Sequence, residues 1–186
     1  NAFAAQLGPG GVLLWNTFVG IGEYDRAAAT AVDASSNVLI AGHASFGGAF
    51  IEAFAAKLGP GGAFQWLTFL GGYGRDYGEA IAVDGSGNVH VAGTSDAAWG
   101  TPRRPFGGSS EAFAAKLGPG GALLWNTFLG AASFDSGSGI AVDGSGNICV
   151  SGESAATWGI PIRPFGAPND AFAAKLGPTG ALLWNT

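Results

Sequence analysis

Three short stretches carry the residue types that hold cations: Asp33-Ala-Ser-Ser-Asn37, Asp84-Gly-Ser-Gly-Asn88 and Asp143-Gly-Ser-Gly-Asn147. Asp, Ser and Asn at alternate positions imitate the start of a calcium loop, but the downstream bidentate Glu of such a loop is missing from all three. Residues that tolerate positive φ at these positions fit a tight hairpin better, so no metal is assigned. Nucleophilic chemistry has equally little to build on. Cys149 is the single cysteine, which excludes an internal disulfide framework, and a thiolate nucleophile needs a base beside it. His90 aligns with Leu39 and Cys149, and His43 aligns with Thr94 and Glu153, so neither histidine has a repeated partner. Glu79 with Ser138 is a poor start for a catalytic centre, and no spacing joins Ser, His and Asp into a triad. The residues point away from an enzyme and from any cofactor.

Two longer stretches have the composition of a binding surface instead. Trp99-Gly-Thr-Pro-Arg-Arg-Pro-Phe106 and Trp158-Gly-Ile-Pro-Ile-Arg-Pro-Phe165 place Trp, Arg and Phe between prolines that hold the backbone extended. Aromatic and arginine side chains are the usual interface anchors. Trp99, Arg103, Arg104, Phe106, Trp158, Arg163 and Phe165, with Tyr73 and Tyr77, form the candidate surface. The competing expectation is structural: Trp and Phe fold the loop back over the sheet edge, and Arg packs on top. A third copy is absent, because the corresponding stretch is only His43-Ala-Ser-Phe-Gly-Gly-Ala-Phe50.

Those loops are set in a tandem repeat. Asn1-Ala-Phe-Ala-Ala-Gln-Leu-Gly-Pro-Gly-Gly returns, slightly changed, from Glu52, Glu111 and Asp170, and Leu7, Leu58, Leu117 and Leu176 are equivalent positions. Each full period holds four strand-like segments, as in Ala80–Asp84, Val89–Ala92, Ala53–Leu58 and Phe64–Phe69. Gly-rich turns between them predict antiparallel meanders, with Gly59-Pro60-Gly61-Gly62 read as a type II turn. In Ala53–Leu58 one face carries Phe54, Ala56 and Leu58, and the other carries alanines and a lysine stem. Large against small is what neighbouring twisted sheets need to interdigitate. Stacking such meanders radially buries both faces. The fold class is therefore all-β, a β-propeller of four-stranded antiparallel blades.

With these residues in view, Gly78-Glu-Ala-Ile-Ala-Val-Asp-Gly-Ser-Gly-Asn-Val-His-Val-Ala-Gly93, Ala-Phe-Ala-Ala-Lys-Leu and Leu123-Leu-Trp-Asn-Thr-Phe-Leu-Gly130 closely resemble the bacterial SBBP-type β-propeller repeat. The first of them also resembles the NHL repeat. The resemblance implies an innermost strand a ending at Asp84, then b, c and an outer Trp-bearing d. It also implies a secreted or cell-surface location, where such repeats occur with little assigned chemistry.

Read in that frame, residues 1–20 are a half blade of strands c and d, and 21–71, 72–130 and 131–186 are blades. Three and a half blades leave an open or partial ring, to be completed by further chain or by another copy, and the lack of methionine and of a leader suggests a fragment. The a-to-b and c-to-d turns fall on one rim, short and monotonous. The b-to-c and d-to-a loops fall on the other, which carries nearly all the variation and is the expected contact surface. Asp25, Asp76 and Asp135 are expected to accept backbone hydrogen bonds in the d-to-a turns, and Trp15, Trp66, Trp125 and Trp184 to pack between blades.

Composition narrows the partners. Charged residues make up 11%, the net charge is −5, and five arginines and three lysines are scattered, so nucleic acid is excluded as a partner. Mean hydropathy is +0.28, but the apolar runs are a few residues long and none spans a bilayer as a helix. The expectation is a non-catalytic structural or binding module presenting its loop rim to a protein or glycan. A self-assembling architectural protein, joined through open blade edges, is the alternative, and a propeller hydrolase or lyase the more distant one.

Overall fold

The computed structural model describes residues 1–47, 50–166 and 168–186; Gly48 and Ala49 of the short first loop, and Ala167, lie outside it. Fourteen strands and no helix make up the described residues. A hairpin of β1 (Phe3–Leu7) and β2 (Leu13–Phe18) is followed by three four-stranded sheets. The first sheet is β3 (Tyr24–Val32), β4 (Val38–Ser45), β5 (Ile51–Leu58) and β6 (Phe64–Leu70). The second is β7 (Asp76–Val83), β8 (Val89–Ser95), β9 (Glu111–Leu117) and β10 (Leu123–Leu129). The third is β11 (Asp135–Val142), β12 (Ile148–Ser154), β13 (Asp170–Leu176) and β14 (Leu182–Asn185). Within each sheet the strands lie side by side in chain order, every pair antiparallel.

Neighbouring first strands, β3 with β7 and β7 with β11, touch one another, so the sheets fan from their a strands. They do not close into a ring. Each junction sets bulky side chains against alanine. Phe113, Leu117, Val89 and Val91 of the second sheet meet Ala41, Ala53 and Ala55 of the first, and Phe172, Leu176, Ile148 and Val150 of the third meet Ala92, Ala112 and Ala114 of the second. Phe54 and Leu58 meet Ala2 and Ala4 in the same way. Alternation along a strand separates these two faces, and bulky-on-small contact lets twisted sheets approach closely.

The turns correct one expectation. Gly62 N–H bonds Gly59 C=O at 2.9 Å, but the left-handed residue is Gly62 (φ 81°), not Gly61. The turn is therefore type I with a glycine bulge after it, matched by the register shift between Lys57 and Leu58. Thr179 occupies the Gly61 position of the last copy, and a type II turn would disfavour it there.

Those left-handed glycines also join the sheets. The Trp15, Trp66 and Trp125 indole N–H groups donate to Pro60, Pro119 and Pro178 C=O of the next sheet at 2.9, 3.0 and 3.1 Å. Each ring lies over the turn so closely that a Cβ on Gly62, Gly121 or Gly180 would stand 2.8 Å from it. Packing between blades is thus the role of these three tryptophans.

Candidate functional site

The turn rim is electrostatically closed. Asp33 accepts N–H bonds from Ser35 and Asn37, both at 2.9 Å, and the same pattern holds Asp84 and Asp143. Lysines from the c strands complete each site: Lys57 on Asp33 at 2.9 Å, Lys116 on Asp84 at 3.2 Å and Lys175 on Asp143 at 3.1 Å. Burial works against ionisation of Asp33, but bonds from Asn37 and Lys57 outweigh it and hold the carboxyl down to about 2. Asp84 and Asp143 are likewise held well below the ordinary carboxylate range. These carboxylates are spent on hairpin and lysine contacts. Among the described residues no three His, Cys, Asp or Glu side chains gather in a metal-binding arrangement.

His90 is wholly buried, with Nε2 3.2 Å from Asp84 Oδ2. Burial pushes its pKa down, Asp84 opposes this, and Lys116 adds to it. Cys149, at the equivalent position of the third sheet, is exposed. Equivalent positions on two b strands are thus one buried and one surface residue.

Because the lysines are all held at the turn rim, the loop half carries all five arginines, ten carboxylates and hence the whole net charge of −5. Three of its carboxylates bind the d-to-a turns as expected. Asp25 accepts from Gly22 N–H at 2.8 Å, Asp76 from Gly72 N–H at 3.0 Å and Asp135 from Ala131 N–H at 2.8 Å. Ser95 and Ser154 hydroxyls donate to Asp76 and Asp135 from the b strands. A second carboxylate stands beside Asp76, since a Cβ on Gly71 would lie 2.3 Å from Asp76 Oδ2 and 2.7 Å from Glu52 Oε2, and Glu111 is near enough to Asp135 for that charge to act on it. Burial raises Asp76 to about 6 against the pull of Ser95 and Gly72, with Glu52 and Asp96 adding to the rise. Asp135 and Glu111 are raised too, again by burial, but there Arg104 acts in the opposite direction.

The long loops lie against the outer strands. Trp99 and Trp158 are only 7% and 5% exposed, edge-on to Phe113 and Phe172 at 5.3 Å. They are interior packing rather than presented anchors. Phe106 is half-buried on Phe128 at 5.2 Å. The Arg104 guanidinium donates to Phe128 C=O at 3.2 Å and Gly130 C=O at 2.6 Å, and lies over the Trp158 ring at 5.4 Å, linking the second loop to the third. Arg103 and Arg163 are exposed. Trp158, Arg163 and the half-buried Phe165 line one open cleft of about 290 Å³. In the second sheet the Phe128 ring lies between Trp99 and Phe106.

The two tyrosines separate. Tyr73 is 83% exposed and edge-on to Phe50 at 4.8 Å, while Tyr77 is half-buried against His43 at 4.9 Å. Ile160 and Ile162, not singled out from the sequence, stand 92% and 73% exposed on the third loop. Asn126 and Asn185 were missed as well. Their amides donate to Trp99 and Trp158 C=O at 2.8 and 2.7 Å and clasp the loops. A signal for them was present: Asn stands where the loop is long, and Leu67 where it is short.

Four-stranded antiparallel meanders fanned about their first strands define a β-propeller array. Residues 65–98 match the model of the SBBP beta-propeller repeat, so the chain carries a repeat of that family. The match runs from β6 into the second sheet, offset from the blade boundary. A protein of unknown function from Bacteroides caccae, solved at 1.35 Å resolution, shares the fold with a TM-score of 0.56 and 14% identity. The similarity covers 99% of this chain and 53% of that one, so the chain spans about half the length of the structure it matches. No curated protein matches the sequence.

Proposed function

We propose that this propeller segment is a non-catalytic binding module of a secreted or cell-surface protein, and that its loop rim meets a protein or glycan. The supporting observation is the segregation of side chains between rims. The turn rim pairs its lysines with aspartates, whereas the loop rim exposes Tyr73, Ile160 and Ile162 beside Arg75, Arg103 and Arg163. Exposed aromatic and arginine side chains on a rigid scaffold are what sugar rings and protein surfaces meet most readily. The location follows from the family resemblance.

Glycan-array and peptide-array binding by the wild type and by Tyr73→Ala tests this reading. Tyr73 is nearly free of the core, so the variant should melt with the wild type and lose its array signal by about tenfold, a typical hot-spot effect. Undiminished binding by Tyr73→Ala and by Ile160→Ser would remove the rim from consideration. Self-assembly is the second reading, favoured by the exposed Phe3 and Leu7, whose equivalents Phe54, Phe113, Phe172, Leu58, Leu117 and Leu176 are buried in the other blades. Light scattering across a concentration series separates the two, because an assembler does not stay monomeric.

A further inference from the structure

The first and second blades differ in one respect that bears on partners. In the second, the b-to-c loop lies along β10: Arg103 N–H donates to Asn126 C=O at 2.8 Å, and Phe128 N–H donates to Arg104 C=O at 3.2 Å. Arg104 N–H also donates to Thr127 Oγ1 at 3.2 Å. The third blade repeats the arrangement, with Ile162 N–H on Asn185 C=O at 2.8 Å and a parallel bridge between Pro161 and Asn185. A loop segment therefore extends the sheet beyond its outer strand in both.

In the first blade the b-to-c connection is only residues 46–50; its Phe46 ring lies edge-on to Phe69 at 5.5 Å, but none of its described residues makes a main-chain bond to β6. Leu67 C=O and Phe69 N–H, equivalent to Asn126 C=O and Phe128 N–H, have no main-chain partner on that side among the described residues. Phe69 is 45% exposed, whereas Phe128 is 0% exposed. The electrostatics differ in parallel. Glu111 and Asp135 have the Arg104 guanidinium nearby, while Glu52 and Asp76, converging across Gly71, have no salt bridge among the described residues. An open strand edge is a template for another strand, and its end here lies beside two carboxylates whose equivalents in the neighbouring blade, Glu111 and Asp135, have an arginine nearby.

We infer that the open edge of β6, with Glu52 and Asp76, takes an extended arginine-bearing segment of a partner protein, laid along the strand as Trp99–Phe106 is laid along β10. Main-chain bonds to Leu67 C=O and Phe69 N–H give register, in the manner of strand addition. The arginine reaches Phe69 C=O, Gly71 C=O and the carboxylates, as Arg104 reaches Phe128 and Gly130. A planar fork of donors suits this set of oxygens better than an ammonium does. A phosphate-rich partner is disfavoured by the carboxylates. A second copy of this chain does not fit either, since its own arginine loops already lie on β10 and β14. The inference stands apart from the rim reading, because the edge and Tyr73 are tested by different variants.

The probe is a fluorescein-labelled peptide, Trp-Gly-Thr-Pro-Arg-Arg-Pro-Phe, titrated with the full chain and followed by anisotropy. Saturable binding is expected. It should weaken by about tenfold or more, the scale of losing one charge-assisted bond, when the second arginine becomes alanine. The same loss is expected when the first arginine is N-methylated, and when the protein carries Glu52→Gln. Glu153→Gln, an exposed carboxylate on β12 of the third sheet, should leave the titration unchanged. The peptide variants need no folded mutant, so misfolding of Glu52→Gln cannot blur the outcome. Absence of saturation, equal affinity across the three changes, or self-association that the peptide fails to displace would overturn the inference.

Discussion

Replacing Asp76 by Asn tests whether blade junctions store an ionisation penalty. Asp76 is 0% exposed, accepts from Gly72 N–H and the Ser95 hydroxyl, and shares its surroundings with Glu52. Burial raises it from 3.8 to about 6. A carboxyl raised on folding adds stability that is complete below its unfolded value and is lost as pH rises through its folded one. The folded chain binds the extra proton between those two values, and a rise of about two units corresponds to about 3 kcal/mol. Asn keeps the shape and an acceptor oxygen but has no proton to lose. Urea unfolding followed by tryptophan fluorescence should therefore show Asp76→Asn gaining about 2–3 kcal/mol on the wild type between about pH 4 and pH 7. Asp135→Asn should gain less, because Arg104 already favours the ionised Asp135. Parallel pH profiles for Asp76→Asn and wild type would refute the reasoning.

Two further substitutions separate structure from surface. Trp99→Ala and Trp158→Ala remove buried rings, so each should destabilise by about 3–5 kcal/mol in thermal or urea unfolding, and a melting point within a degree of wild type would place these rings outside the core. Gly121→Ala should cost about 1–3 kcal/mol, since the residue has φ +87° and its Cβ would stand 2.8 Å from the Trp66 ring. Gly120→Ala in the same turn, with nothing within 4 Å of its Cβ, should stay within about 0.5 kcal/mol.

Strands, faces and inter-blade tryptophans were legible in the sequence because each recurs in register, and repetition turns a weak local preference into a pattern. The d-to-a aspartates were legible for the same reason. The loops were not. Trp99 and Trp158 have the composition of interface anchors and the position of core residues, and only the path of the chain over β10 and β14 decides between the two. Arg104 is a comparable case: its acceptors, Phe128 C=O and Gly130 C=O, are backbone atoms that any sequence provides. The turn-rim lysines were unreadable as partners of Asp33, Asp84 and Asp143 because they lie 24 residues away in the first copy and 32 in the other two, and only strand pairing brings the charges together. The type II turn was misread from Pro-Gly alone, where Thr179 already argued against it.

The indole-over-glycine joint has a consequence for how such an array changes length. Every sheet offers a donor ring on one flank and a proline carbonyl with a bare glycine on the other, so the joint has a direction but no address. Excising residues 71–129 in frame would bring Trp66 against Pro178 and Gly180 in place of Pro119 and Gly121, with the same atoms meeting. Blades can therefore be gained or lost by unequal recombination without refitting their neighbours, and the loops remain free to diverge on a frame that stays interchangeable.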